Sequence, residues 1–87
     1  MCTMIAERIE VEGCAKREAG WLELDHAYVT YDHPFNMQQE HALNIDFVNV
    51  AEGPGARVAV EMTAGSARRL VGAILSALDQ AERTNAI

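Results

Sequence analysis

Four β-strands in a mainly antiparallel sheet, followed by one C-terminal helix covering one face of it (β-β-β-β-α, an α+β fold), are expected from three features of this sequence. Apolar and polar residues alternate over four short segments; turn-forming glycine, proline and asparagine stand between the segments; and the last third changes to an apolar spacing of three and four. A period of two marks a strand with one buried face, and a period near 3.6 marks an amphipathic helix, so the order of elements follows directly.

The first strand is expected over residues 4–11, where Ile5, Ile9 and Val11 share one side, Glu7 interrupts them, and Arg8, Glu10 and Glu12 face away. Residues 13–20 are small, polar and flanked by Gly13 and Gly20, a composition suited to a hairpin connection. Residues 21–31 form the second strand, with Leu22, Leu24, His26 and Tyr28 on one face and Trp21, Glu23, Asp25, Ala27, Val29 and Tyr31 on the other. The polar stretch 32–42 is a loop in which Pro34 fixes its own φ and pushes His33 toward extended backbone. Alternation resumes over 43–50, placing Leu43, Ile45 and Phe47 together, and after the turn Glu52-Gly53-Pro54-Gly55 a fourth strand over 57–62 turns Val58, Val60 and Met62 inward.

The spacing predicts a helix over 64–83, with Thr63 as N-cap and Ala67, Leu70, Val71, Ile74, Ala77, Leu78 and Ala81 as its apolar stripe. At 1.5 Å per residue it would be about 30 Å long, enough to cross one face of a four-stranded sheet. The other face would carry Val29, Tyr31, Val48, Val50 and Ala59 beside Asp25, Asn44, Asp46, Arg57 and Glu61, too apolar for plain solvent contact and too polar for a core. A homodimer, or a small-molecule pocket on that face, would account for the mixture, and a small domain gains most from self-association.

Eighty-seven residues make one domain, 1–87, and 49% hydrophobic with 23% charged residues is enough apolar material to fold it. No apolar run approaches the roughly 18 residues that span a bilayer, so no membrane crossing is expected. Thirteen acidic against seven basic residues give a net charge of −6, which phosphate backbones repel, so nucleic acid is not an expected partner. The opening residues lack the basic and apolar regions of a secretory signal, which makes the cytoplasm the expected location and free thiols the expected state of Cys2 and Cys14.

Asp32, His33, Glu40, His41 and Asp46 form the densest set of ligating and acid-base groups, with His26 ahead of them on the second strand. His33 and His41 are eight positions apart across a loop, compatible with both imidazoles reaching one ion but matching no fixed zinc spacing. With Met1 removed, Cys2 would offer a thiolate and an α-amine on one residue, donors that suit zinc, nickel or copper. The expected metal ligands are therefore Cys2, His33, His41 and Asp46, and the expected ion is zinc or copper. A metal-dependent reaction on a small molecule is one use of such a cluster. The competing reading is a non-catalytic homo-oligomeric module whose histidines brace the loop, with Asp32 bonding locally ahead of Pro34. A third reading makes Cys2 a nucleophile with His33 or His41 as base and Asp46 orienting the ring, but no nucleophile elbow or oxyanion-hole pattern surrounds it.

Taken together, Met1-Cys2-Thr3, Gly20-Trp21, Asp32-His33-Pro34, Glu40-His41, Asn44-Ile45-Asp46-Phe47 and Gly53-Pro54-Gly55-Ala56-Arg57-Val58-Ala59-Val60-Glu61 resemble a family of short bacterial proteins, chiefly actinobacterial, with no assigned activity. The resemblance spans nearly the whole chain and implies a bacterial, cytoplasmic origin without a mechanism. It also implies that relatives carry serine where this chain has Cys14, which argues against a site built on that thiol.

Overall fold

A computed structural model of the chain describes residues 5–87. Four strands, β1 (Ile5–Arg17), β2 (Gly20–Asp32), β3 (Ala42–Val48) and β4 (Arg57–Met62), are followed by α1 (Ala64–Arg83). The sheet is an antiparallel meander in the order β1-β2-β3-β4, so the α+β arrangement expected from the sequence is the one observed. A short 3₁₀ turn, Val50–Glu52, joins β3 to β4 where the strand pattern had been expected to continue through Val50. Asp25 accounts for that ending: its carboxylate accepts the Val50 N–H at 3.0 Å to both oxygens, which takes Val50 out of the ladder.

The first hairpin is longer than expected. β1 runs on through Cys14 to Arg17, and only Glu18 and Ala19 remain as the turn before Gly20, whose φ of 126° favours glycine. Gly13 lies at a register shift between Glu10 and Gly13 in the pairing with β2, so it marks a bulge rather than a turn. Opposite the bulge, the buried positions of β2 step from Leu22 and Leu24 to Ala27, so the alternation changes phase at Asp25 and His26. Leu22 and Leu24 therefore do not share a face with His26 and Tyr28. They pack instead with Ala56, Val11, Ala15, Phe47 and Val58. The twisted end of the β1–β2 ribbon is thus folded against the β3–β4 connection, where Arg17 donates to the Gly55 carbonyl at 3.3 Å and Asn49 to that of Glu23 at 3.0 Å.

Cross-strand partners share a face, which sorts the sheet. Tyr31, Leu43 and Met62 are in register, as are Val29, Ile45 and Val60, so Val29 and Tyr31 belong to the helix side and not to the uncovered side where strict alternation had placed them. The opposite face carries Thr30, Asn44 and Glu61, then Tyr28, Asp46 and Ala59, then His26, Val48 and Arg57.

α1 begins as expected: the Thr63 hydroxyl accepts the Ser66 N–H at 3.1 Å. Among the strands it contacts mainly β3, and none of its residues is buried. Its first half overhangs Leu43, Ile45 and Met62 across a groove of about 560 Å³. No helix among the described residues is long and apolar enough to cross a membrane.

Candidate metal centre

The loop 33–41 carries most of the candidate chemistry, and a strand residue outside it holds its shape. Glu61, on β4, accepts backbone N–H groups from Phe35 (2.6 Å), Asn36 (3.0 Å) and Met37 (3.1 Å). These donors hold its carboxyl below the usual glutamate range, with partial desolvation opposing them. The wrapping turns the Phe35 side chain fully into solvent. Sequence reasoning missed Glu61 as a brace, because its partners are backbone N–H groups.

Within that frame, donor atoms of Asp32, His33 and His41 lie within 4.8 Å of one another. Asp32 ends β2; its Oδ1 accepts the His33 N–H at 2.7 Å, and its carbonyl accepts the Asn44 amide at 3.4 Å. His33 Nδ1 is 2.8 Å from the Glu40 carbonyl oxygen, which only accepts, so Nδ1 carries the proton and the ring's lone pair sits on Nε2. His41 stacks on His33 at a centroid distance of 5.0 Å and on Tyr31 at 5.8 Å. A tetrahedral ion with bonds of about 2.0–2.1 Å separates its ligands by about 3.4 Å, so closing the triad needs a contraction of about 1.4 Å. Asp32 and His41 are half-buried and His33 is exposed, a surface position with room for that movement.

Of the other candidate residues, those that the structure describes lie elsewhere. Asp46 is paired with Arg57 on the open sheet face and is not a member of the Asp32/His33/His41 group. Cys2 lies outside the described residues. Cys14 is a free, exposed thiol within β1. His26 Nε2 lies 3.2 Å from Arg8, which only donates, so Nδ1 carries the proton and donates to Asp25 at 2.9 Å. Asp25 is held below the ordinary aspartate range, first by the Val50 N–H and then by His26.

A cavity of about 350 Å³ opens beside the triad on the polar sheet face, lined in part by Asp32, His33, Asn44, Asp46, Arg57 and Glu61. The shielded Oδ1 of Asn44 accepts no hydrogen bond among the described residues. The arrangement thus places a nitrogen- and oxygen-donor cluster at the rim of a polar cavity of small-molecule size.

Glu61→Gln should loosen the loop and misplace His33. Because the folded carboxyl lies below 4.5, its contribution to loop order is complete above that value and is lost as pH falls through the folded pKa. NMR signals of the Phe35, Asn36 and Met37 amides should therefore shift together on acidification below about pH 4.5. The Gln variant should show much of that change already at neutral pH. Amides that hold their shifts throughout would remove Glu61 as the brace.

The chain belongs to DUF6295, a family of unknown function, whose model matches residues 1–87. No curated protein and no solved structure matches it.

Proposed function

We propose that this protein binds a transition metal ion, zinc or copper, through Asp32, His33 and His41, as a site for a small molecule in the adjoining cavity. The observation that carries this reading is the convergence of three donor atoms within 4.8 Å, with the lone pair of His33 placed on Nε2 by the Glu40 carbonyl. A second partner that fixes the tautomer of a histidine is the usual support of a metal-ligating imidazole. Two imidazoles and a carboxylate suit zinc, and the general order of divalent affinities favours copper over it. Three protein ligands would leave a coordination position for water or a substrate oxygen, where a bound metal supplies Lewis acidity.

Cys2 is the candidate competitor for that open position, which it would close to substrate when bound. It is three residues ahead of Ile5 in sequence, at most about 10 Å of extended chain, and Ile5 pairs with Tyr31, next to Asp32. Calorimetric titration of the tag-free protein with zinc and with copper(II) tests the proposal. One equivalent bound with micromolar or tighter affinity is expected, and Cys2→Ser should weaken binding without abolishing it. Binding of less than a tenth of an equivalent of either metal would refute the site.

The second reading, a bracing role, draws on the same stack: Tyr31, His41 and His33 in succession, with His33 tied to Glu40, would stiffen the loop without an ion. The two differ in what the paired alanine variant loses first, metal or stability.

A further inference from the structure

Among the described residues none covers the apolar stripe of α1 and the groove beneath it: Leu70, Val71, Ile74, Leu75 and Leu78 are 42–56% exposed. Facing the helix across the groove are Ile9, Leu43, Ile45 and Met62 of the sheet. The chain exposes 6685 Å², whereas a compact monomer of its 9.5 kDa mass exposes about 5,000 Å². The surplus, roughly 1,700 Å², is about twice the area each partner contributes to a stable interface. The radius of gyration, 14.7 Å, likewise exceeds the roughly 12 Å of a compact chain of this length.

We propose that a second copy of this chain covers that surface, the two helices packing antiparallel about a two-fold axis near Ile74 and Leu75, so that each stripe closes the other's groove. A two-fold interface is built from one patch used twice, and this patch supplies both the ridge and the hollow. Two chains of net charge −6 repel one another unless charge is matched locally. Here it is matched. Arg68 and Asp79 are eleven residues apart, close to three helical turns, so they share a flank of the stripe, and Glu82 lies between that flank and the apolar centre. Antiparallel pairing about residues 74 and 75 brings Arg68 of each helix opposite position 81 of the other, between Asp79 and Glu82. The apolar seam supplies the affinity and the two crossed charge pairs set the antiparallel direction. This inference is independent of the metal reading.

Sedimentation equilibrium on the full chain tests it. The wild type should have a mass of about 19 kDa at micromolar concentration, twice that of one chain. Ile74→Glu should return it to the single-chain mass, with circular dichroism showing retained helix. Should that variant unfold, Arg68→Glu decides: it should weaken self-association about tenfold or more, and Arg68→Glu combined with Asp79→Arg should restore it. A wild-type chain that remains single at these concentrations overturns the proposal. So does a dimer unaffected by Ile74→Glu, or a charge reversal that the second reversal does not rescue.

Discussion

Changing His33 and His41 together to alanine should lower zinc affinity by at least about a hundredfold while the fold survives. The magnitude follows from what is removed. Supporting groups around a metal ligand are themselves worth about 10- to 100-fold, and this variant deletes two of the ligands directly. The fold should survive because neither ring belongs to the buried core of Leu22, Leu24, Ala27, Ala42 and Ala56. Surface changes of this kind stay within about 0.5 kcal/mol unless they break a hydrogen-bonded brace. One such bond is present, from His33 Nδ1 to the Glu40 carbonyl, and it can be separated from ligation. Asparagine places an N–H donor near the position of Nδ1 but nothing at Nε2, so His33→Asn should keep the loop and lose the metal. Calorimetry with zinc beside denaturant melts reads both quantities. A double-alanine variant that unfolds more readily, with His33→Asn restoring stability and no metal bound by the wild type, would establish the bracing role instead.

Local patterns were legible where one physical cause acted alone. β4 and α1 stand where alternation and the Thr63 cap placed them, because a period of two or 3.6 with a cap leaves few alternatives. Gly13 and the small residues after it were expected to form the hairpin turn. Pairing of Cys14 with Glu23 and Ala15 with Leu22 decided for the strand, a long-range effect that no window contains. The faces of β2 were misjudged because its buried positions step from Leu24 to Ala27 opposite the bulge at Gly13, a change of phase that strict alternation does not contain.

The site divides in the same way. His33 and His41 were legible by residue type, because a polar loop with two imidazoles has few other sources of chemistry. The carboxylate was not. Asp46 is five residues from His41, but its strand position sets it beside Arg57, two places from its register partner Ala59 on the same face. Asp32, adjacent to His33 at the end of β2, is the carboxylate within reach of both rings. Glu61 escaped notice because its partners are backbone N–H groups, and backbone donors leave no mark in a sequence.

Leu22→Ala should produce the complementary result: a large loss of stability with metal affinity unchanged. Leu22 is 3% exposed and sits with Leu24 and Ala56 in the principal buried cluster. Truncating a buried leucine costs about 3 kcal/mol, partly in transfer energy and partly in the cavity left behind. A small domain holds total stability toward the lower end of about 5–15 kcal/mol, so the loss is a major fraction of it and should lower Tm by roughly 15 °C. Leu24 is the other large side chain of the buried cluster, with Phe47, Val11 and Val58 only partly buried against it. Relaxation should begin locally, because Leu22 pins the ribbon end to the β3–β4 connection beside the Arg17–Gly55 and Asn49–Glu23 bonds. Asp32 is ten residues further along β2, about 33 Å of strand, and is held by β3 through Asn44 and the pairing with Ala42. Hydrogen exchange should therefore accelerate first in residues 13–24 and 49–56, while zinc binding in the folded state keeps its wild-type affinity. A Leu22→Ala protein that lost metal affinity in proportion to its stability would mean that triad and core form one cooperative unit, and that the separation of the two ends of the sheet argued above is wrong.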